Sequence, residues 1–324
     1  MADVRAEARM TGRVVKLDRG LPELALEDGS HLRCEHATEL VKTGEHRAVI
    51  GDMACVRIPA SHEVGVIERI LPRRTQLVRK DPTDRTMAQV LAANFDTVIV
   101  AQPVSEVNLR RLQRELVLAF ETGAQVAVVL TKGDLAADDA VAERMRQRVQ
   151  EMAGAQVAVV VMAADDAASV EAVRHLVPAG TTAVLIGRSG VGKSTLINVL
   201  VGTEARRTAH VRQTDGKGRH TTVNRAIISI PGGGDIVDMP GVRGLGLWDA
   251  DAGIDAAFAD IERMAEQCRF RDCKHQREPG CAVRAAVESG ELSAERLEAY
   301  QQLRQETAAT RQRREQAAWK RRRR

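Results

Sequence analysis

The sequence predicts a three-part chain: a small N-terminal antiparallel β-barrel, a central α/β domain built on a phosphate-binding loop, and a mainly helical C-terminal domain holding a metal. Three observations carry this reading. GRSGVGKS, Gly187 to Ser194, stands between the apolar run Ala183 to Ile186 and the helix-like stretch Thr195 to Leu200. Cys268, Cys273, His275 and Cys281 follow the spacing C-x₄-C-x-H-x₅-C. Before residue 75, short β-type runs alternate with turn residues. The expected boundaries are 1–75 for the barrel, 76–88 for a basic linker, 89–247 for the nucleotide domain and 248–324 for the metal domain. A chain of 324 residues, 44% hydrophobic, is long enough for several such cores.

In the barrel, Val14-Val15, Leu24 to Leu26, His31 to Cys34, Ala54 to Ile58 and Val64 to Ile67 read as strands. Asp28-Gly29 between two of them is a hairpin signal. The pattern alone is compatible with an OB-fold or an SH3-like barrel. Cys34 and Cys55 lie in alternating apolar stretches and read as core residues. Leu71 to Arg74 and Val78 to Pro82 then read as the basic linker.

Gln125 to Leu130 is a short buried strand ending in TKGD, Thr131 to Asp134. A carboxylate at Asp134 can accept from both guanine N1–H and N2–H₂, a donor pair that adenine lacks; a site left unpaired by the wrong ligand discriminates by roughly 10⁴-fold. In the phosphate loop, Gly187, Gly190 and Gly192 allow a tight turn. The N–H groups of Arg188, Ser189 and Val191 join those of the glycines in facing a polyphosphate. Lys193 reaches the β and γ phosphates, Ser194 offers a hydroxyl to Mg²⁺, and Thr195 continues into the helix. GRHTTV, Gly218 to Val223, puts Thr221 and Thr222 side by side as candidate γ-phosphate and Mg²⁺ sensors. In DMPG, Asp238 would hold Mg²⁺ and the Gly241 N–H would meet the γ phosphate.

Three thiolates and one imidazole within fourteen residues suit tetrahedral Zn²⁺ and leave no open position for a catalytic water. An odd total of five cysteines and no secretory signal point to a reducing compartment. Ala294 to Gln316, without glycine or proline, predicts a long polar helix. Arg311 to Arg324 holds eight basic residues and one acidic, a net of +7 that leaves −3 for the rest of the chain. Such a tail binds phosphate backbone by counterion release. Aromatics are only 2%, so RNA contact would lean on phosphates and shape. The N-terminus lacks an apolar segment, and no apolar run is long enough for a membrane span, so the expectation is a soluble, cytoplasmic protein without membrane contact.

The motifs run guanine motif, phosphate loop, threonine switch, then DxxG, whereas an ordinary GTPase has the guanine motif last. In this order the chain resembles the circularly permuted GTPases, most closely the RsgA (YjeQ) family of ribosome small-subunit-dependent GTPases. The zinc spacing matches that family too, and Val157 to Met162 with Ala163-Ala164-Asp165 sits where the family closes over the base. The resemblance covers nearly the whole chain and implies an OB-like barrel, a central permuted P-loop GTPase domain and a zinc domain with a basic tail. It further implies hydrolysis of the GTP β–γ phosphoanhydride stimulated by the small ribosomal subunit, late in that subunit's maturation. The implied ligands are GTP or GDP with Mg²⁺ and one structural Zn²⁺, the implied partners are the subunit and its rRNA, and the chain itself is expected to be a monomer.

Two departures matter. The family typically has Asn where Thr131 stands, which leaves guanine selection to Asp134 with Lys132 packed over the base. Val242 stands where Ras-like enzymes place a water-orienting glutamine, a task valine cannot perform. The family resemblance transfers that role to the switch histidine, here His220. Both departures leave a second reading open, a nucleotide-regulated RNA-binding module with little or no hydrolysis.

Overall fold

Strict alternation of apolar and polar residues is what closes the N-terminal barrel. In β4 (Met53–Ile58) every second residue is buried, and Val14, Leu24, Cys34, Val56 and Ile67 meet inside. β1 (Ala8–Asp18) pairs with β2 (Leu21–Leu26) and with β4; β2 pairs with β3 (His31–His36), β3 runs parallel to β5 (Gly65–Ile70), and β5 returns to β4. This closed Greek-key ring, with the short helix α1 (Thr38–Lys42) between β3 and β4, is the OB arrangement. Asp28 makes the expected turn by accepting from Ser30 N–H at 2.9 Å and Ser30 Oγ at 2.6 Å. Cys34 is a core residue, but Cys55 falls on the opposite phase of β4 and is only half-buried on its outer side. In the computed structural model, the described residues are 8–18, 21–42, 47–59, 64–81, 87–202, 225–239 and 246–322.

The stretch expected to be a linker is ordered differently. β6 (Gln76–Lys80) pairs antiparallel with β7 (Ala88–Ala93) in a two-stranded ribbon. Leu77 and Leu91 give it an apolar side, which packs into the large core with Ile50 and Phe95. Arg79 and Lys80, the charged residues that suggest a linker, are half-buried in this ribbon, and Lys80 donates to Thr310 at 3.2 Å.

The central sheet runs β10 (Ala158–Val161), β9 (Gln125–Thr131), β8 (Thr97–Pro103), β11 (Thr182–Ile186), β13 (Asp235–Asp238), β12 (Arg225–Ser229). All pairs are parallel except β12 on β13. β8 and β11 are buried along their whole length because helices cover both faces. Val98, Val100, Val184 and Ile186 point to one core, shared with α2 (Leu109–Phe120), α3 (Asp139–Ala153) and the C-terminal helices. Ile99, Ala101, Ala183 and Leu185 point to the other, shared with α4 (Ala167–Arg174) and α5 (Lys193–Val201).

The barrel and this sheet are one hydrogen-bonded surface. β1 pairs antiparallel with β12 through Lys16 opposite Ala226 and Leu17 opposite Arg225. Arg13 on β1 donates to Thr182 Oγ1 at 2.7 Å and to Asp235 Oδ2 at 3.4 Å. A second weld joins the barrel to the ribbon. The fully buried Asp52 carboxylate accepts Arg73 Nε at 2.8 Å, Arg73 Nη2 at 2.9 Å and Val49 N–H at 2.8 Å.

Beyond the sheet, helices Asp251–Ala257, Ala259–Ala265 and Ala282–Ser289 precede one long helix, Ala294–Arg322, which extends past the expected end at Gln316. Gly253 lies so close to α2 that a Cβ there would sit 2.2 Å from the Val117 carbonyl oxygen, so only glycine fits. Among the described residues no helix is long and apolar enough to cross a membrane.

Asp52→Ala would strand the Arg73 guanidinium without its buried partner. We expect a loss of about 3–5 kcal/mol, read as a lower denaturant midpoint for the barrel transition.

Candidate nucleotide and metal sites

Every motif of the proposed nucleotide site that falls in described residues lies at the C-terminal edge of the parallel strands, where such sheets bind ligands. β11 ends in the phosphate loop, β9 in the guanine motif, β13 in Asp238. Gly187 has φ +145° and Gly192 has φ +99°, and at Gly187 a Cβ would lie 2.6 Å from the Ala101 carbonyl oxygen. These positions need glycine to turn the chain into α5. Lys193 folds back over the loop, its Nζ donating to the carbonyls of Gly187 at 2.7 Å and Arg188 at 2.9 Å. Burial pulls its pKa below the ordinary lysine value, against the opposing charges of Asp238 and Glu115. Arg188, Ser189 and Gly190 are exposed along the rim, Val191 is buried, and the hydroxyls of Ser194 and Thr195 are exposed at the start of α5.

Thr131 is almost wholly buried under this loop. Its hydroxyl contacts the Val191 carbonyl of the phosphate loop and lies 3.2 Å from the Gln102 carbonyl at the end of β8. A threonine therefore ties the guanine strand to the phosphate loop. Lys132 follows in the left-handed region at φ 58°, and Asp134 is exposed beyond it. The Gly133 N–H donates to the Met162 carbonyl at 2.9 Å, which brings the loop after β10 beside the guanine motif. That loop is held by Ser169, whose Oγ accepts from Ala163 N–H at 3.1 Å, and by Asp166, which caps α4.

His220, Thr221, Thr222, Gly241 and Val242 lie outside the described residues.

Beneath the loop is a polar group that sequence reading missed. Glu115 on α2 is 2% exposed and accepts from Gln102 Nε2 at 2.5 Å and Arg111 Nε at 3.0 Å. Burial raises its pKa, opposed by Arg111, Gln102 and Lys193. In the sequence its one signal is a carboxylate on the otherwise apolar side of LQRELVLAF.

In the C-terminal domain the Sγ atoms of Cys268, Cys273 and Cys281 and a ring nitrogen of His275 all lie within 4.8 Å of one another. Cys268 and Cys281 sulfurs are 3.9 Å apart, and His275 Nδ1 is 3.4 Å from Cys281 Sγ and 3.7 Å from Cys268 Sγ. A tetrahedron with Zn–S bonds of about 2.3 Å has S···S edges near 3.8 Å, so these donors fit a single metal ion. Gln301 from the long helix donates to the His275 carbonyl at 2.7 Å and fixes the loop from behind.

The family model described as RsgA GTPase matches residues 70–248. The chain is 43% identical over 306 residues to the small ribosomal subunit biogenesis GTPase RsgA of Streptomyces coelicolor, covering 94% of this chain and 82% of that one. It is 38% identical to small ribosomal subunit biogenesis GTPase RsgA 2 of Vibrio parahaemolyticus, over 91% and 79% of the two chains. Among solved structures it resembles YjeQ from Thermotoga maritima, with TM-score 0.68, 26% identity and coverage of 93% and 99%. YloQ, a circularly permuted GTPase, shares the fold with TM-score 0.64 at 24% identity, over 95% and 98%.

Thr131→Val keeps the shape and removes the hydroxyl, leaving the Val191 carbonyl unpaired. A phosphate loop grips the phosphates that GDP and GTP share, so affinities for the two are expected to fall together by roughly tenfold in equilibrium titrations.

Proposed function

The chain belongs to the RsgA GTPase family and is a GTPase of small-ribosomal-subunit biogenesis, and from that premise we propose how its parts divide the work. The observation that carries the reading is the convergence of phosphate loop, guanine motif and Asp238 on one edge of a sheet whose chain order is permuted. GTP takes its phosphates into Gly187 to Thr195, with Lys193 on the β and γ groups and Asp134 on the guanine. Ser194 and Asp238 would hold Mg²⁺, which would neutralise charge on the phosphates when bound. Thr221 or Thr222, with Gly241, answers to the γ phosphate. His220 orients the attacking water, because Val242 offers no donor or acceptor.

Both switches open into neighbouring domains. The threonine switch leads into β12, which pairs with β1 of the barrel at Arg225 and Ala226. The segment after DMPG emerges at Gly246, whose carbonyl accepts from Lys80 N–H at 3.1 Å. The Leu247 N–H then reaches Glu306 on the long helix. Arg314 of that helix donates to Asp249 at 3.1 Å and lies 4.4 Å over the Trp248 ring. We therefore assign the barrel and the basic helix to docking on the small subunit and its rRNA. Docking fixes the two switch exits and so places His220 for catalysis; loss of the γ phosphate releases them. The Cys268, Cys273, His275, Cys281 cluster would hold one Zn²⁺ in a closed structural site, and the protein acts as a cytoplasmic monomer.

Phosphate release from GTP should be slow for the protein alone, faster than from ATP, and sharply raised by small subunits at low salt more than at high salt. His220→Ala should bind GTP normally and lose most of the stimulated rate. Full stimulation in that variant would remove the histidine from the mechanism, and GTP binding without turnover under any condition would favour the regulated RNA-binding module.

A further inference from the structure

Arg111 is a half-exposed charged group on α2. It lies in the first turn of α2, where its backbone N–H donates to the capping side chain of Asn108 at 3.0 Å. Its Nε donates to Glu115, one turn further along, at 3.0 Å. Glu115 is itself locked by Gln102 at 2.5 Å, and its side chain is 2% exposed against 37% for Arg111. The guanidinium is thus aimed from its Nε side by a rigid buried carboxylate. Among the described residues neither Nη group has a hydrogen-bond partner.

Arg111 lines a cleft of about 580 Å³ together with Arg110, Arg114 and Gly246, the first described residue beyond the DMPG switch. The other two arginines are committed elsewhere: Arg110 to Glu298 at 3.3 Å and Arg114 to Glu306 at 2.9 Å. Gln102, whose side chain holds Glu115, also meets the Thr131 hydroxyl through its carbonyl, and that hydroxyl contacts Val191, so the Arg111–Glu115 pair is joined to the phosphate loop through Gln102 and Thr131. The Glu115 carboxylate offsets the repulsion between Arg111 and Lys193, whose charges both act on it, and it engages only the Nε side of the arginine. A planar guanidinium with two open Nη donors matches the oxygens of a phosphoryl group.

We infer that Arg111 is a phosphate-binding arginine supplied in cis, its Nη donors taking γ-phosphate oxygens beside Lys193 while Glu115 and Gln102 hold it in place. This inference rests on the GTPase assignment and adds a residue to it. It makes Arg111 a discriminator between GTP and GDP, since only the triphosphate presents the γ group, and charge spreads over those oxygens during transfer.

The test is equilibrium titration of wild type, Arg111→Ala, Arg111→Lys and Glu115→Gln with fluorescent GDP, a β,γ-imido GTP analogue, and GDP with aluminium fluoride. Arg111→Ala should bind GDP as wild type does, bind the analogue about tenfold more weakly, and lose more still on GDP–aluminium fluoride. Arg111→Lys, which keeps the charge without the fork, should recover part of that loss. Glu115→Gln should show a smaller loss of the same kind, because the guanidinium is less well aimed. Unchanged affinity for all three ligands in Arg111→Ala would overturn the inference, as would an equal loss on all three, which would mark a structural staple. Failure of the GTPase assignment would be seen separately, as wild-type protein that does not bind guanine nucleotides.

Discussion

The site depends on one constraint: the phosphate loop must leave a strand that is buried on both faces and flanked by the strands carrying its partners. β11 meets it, with β8 on one side and β13 on the other, all parallel. Strand neighbours are set by hydrogen-bond register and by the apolar faces they bury, not by chain order. Permutation is tolerated for that reason. The guanine strand β9 comes before the phosphate loop in the chain, yet lies only one strand, β8, away from β11 in the sheet. Thr131 closes the remaining gap through its hydroxyl to Val191.

Permutation changes what lies beyond each switch. In this order the first switch runs into β12, whose far edge belongs to the barrel, and the second runs into Gly246, Leu247 and Trp248. That second stretch is bound on two sides: Lys80 of the ribbon at Gly246, and Glu306, Arg311 and Arg314 of the long helix at Leu247 and Asp249. Arg311 and Arg314 are basic groups engaged with carboxylates on half-exposed surface, where ion pairs are weak. Another anion can compete for such pairs at little cost, whereas the buried Asp52–Arg73 pair cannot be exchanged in this way. The arrangement keeps the barrel rigid against the sheet and leaves the helix contact exchangeable.

Much of this is legible in the sequence, and what is not has a physical reason. The phosphate loop, the hairpin at Asp28-Gly29 and the Cys3His cluster each need particular residue types at fixed local spacing, so they are written in adjacent positions. The OB topology is not, because Val14, Val56 and Ile67 alternate in the same way in any small barrel; only pairing settles it. The ribbon of β6 and β7 escapes notice because Arg79 and Lys80 dominate a stretch whose apolar side is carried by Leu77 and Leu91, fourteen positions apart. Arg13 gives no sign that it will reach Thr182, 169 residues away. Long-range polar contacts leave no period behind.

Glu115 shows the same limit and also why it matters. Burying a carboxylate is costly, and replacing it with an apolar side chain of similar size often leaves a protein as stable or more so. Here burial pushes the group toward its neutral form, and Arg111, Gln102 and Lys193 oppose that push. A stability argument alone would place leucine at this position of α2, among Leu112, Leu116 and Val117. The carboxylate instead lies within the field of Lys193 and holds an arginine by one nitrogen. The cost is opposed within the protein itself by Arg111, Gln102 and Lys193, so the same carboxylate that lowers stability fixes the position of an arginine near the phosphate loop.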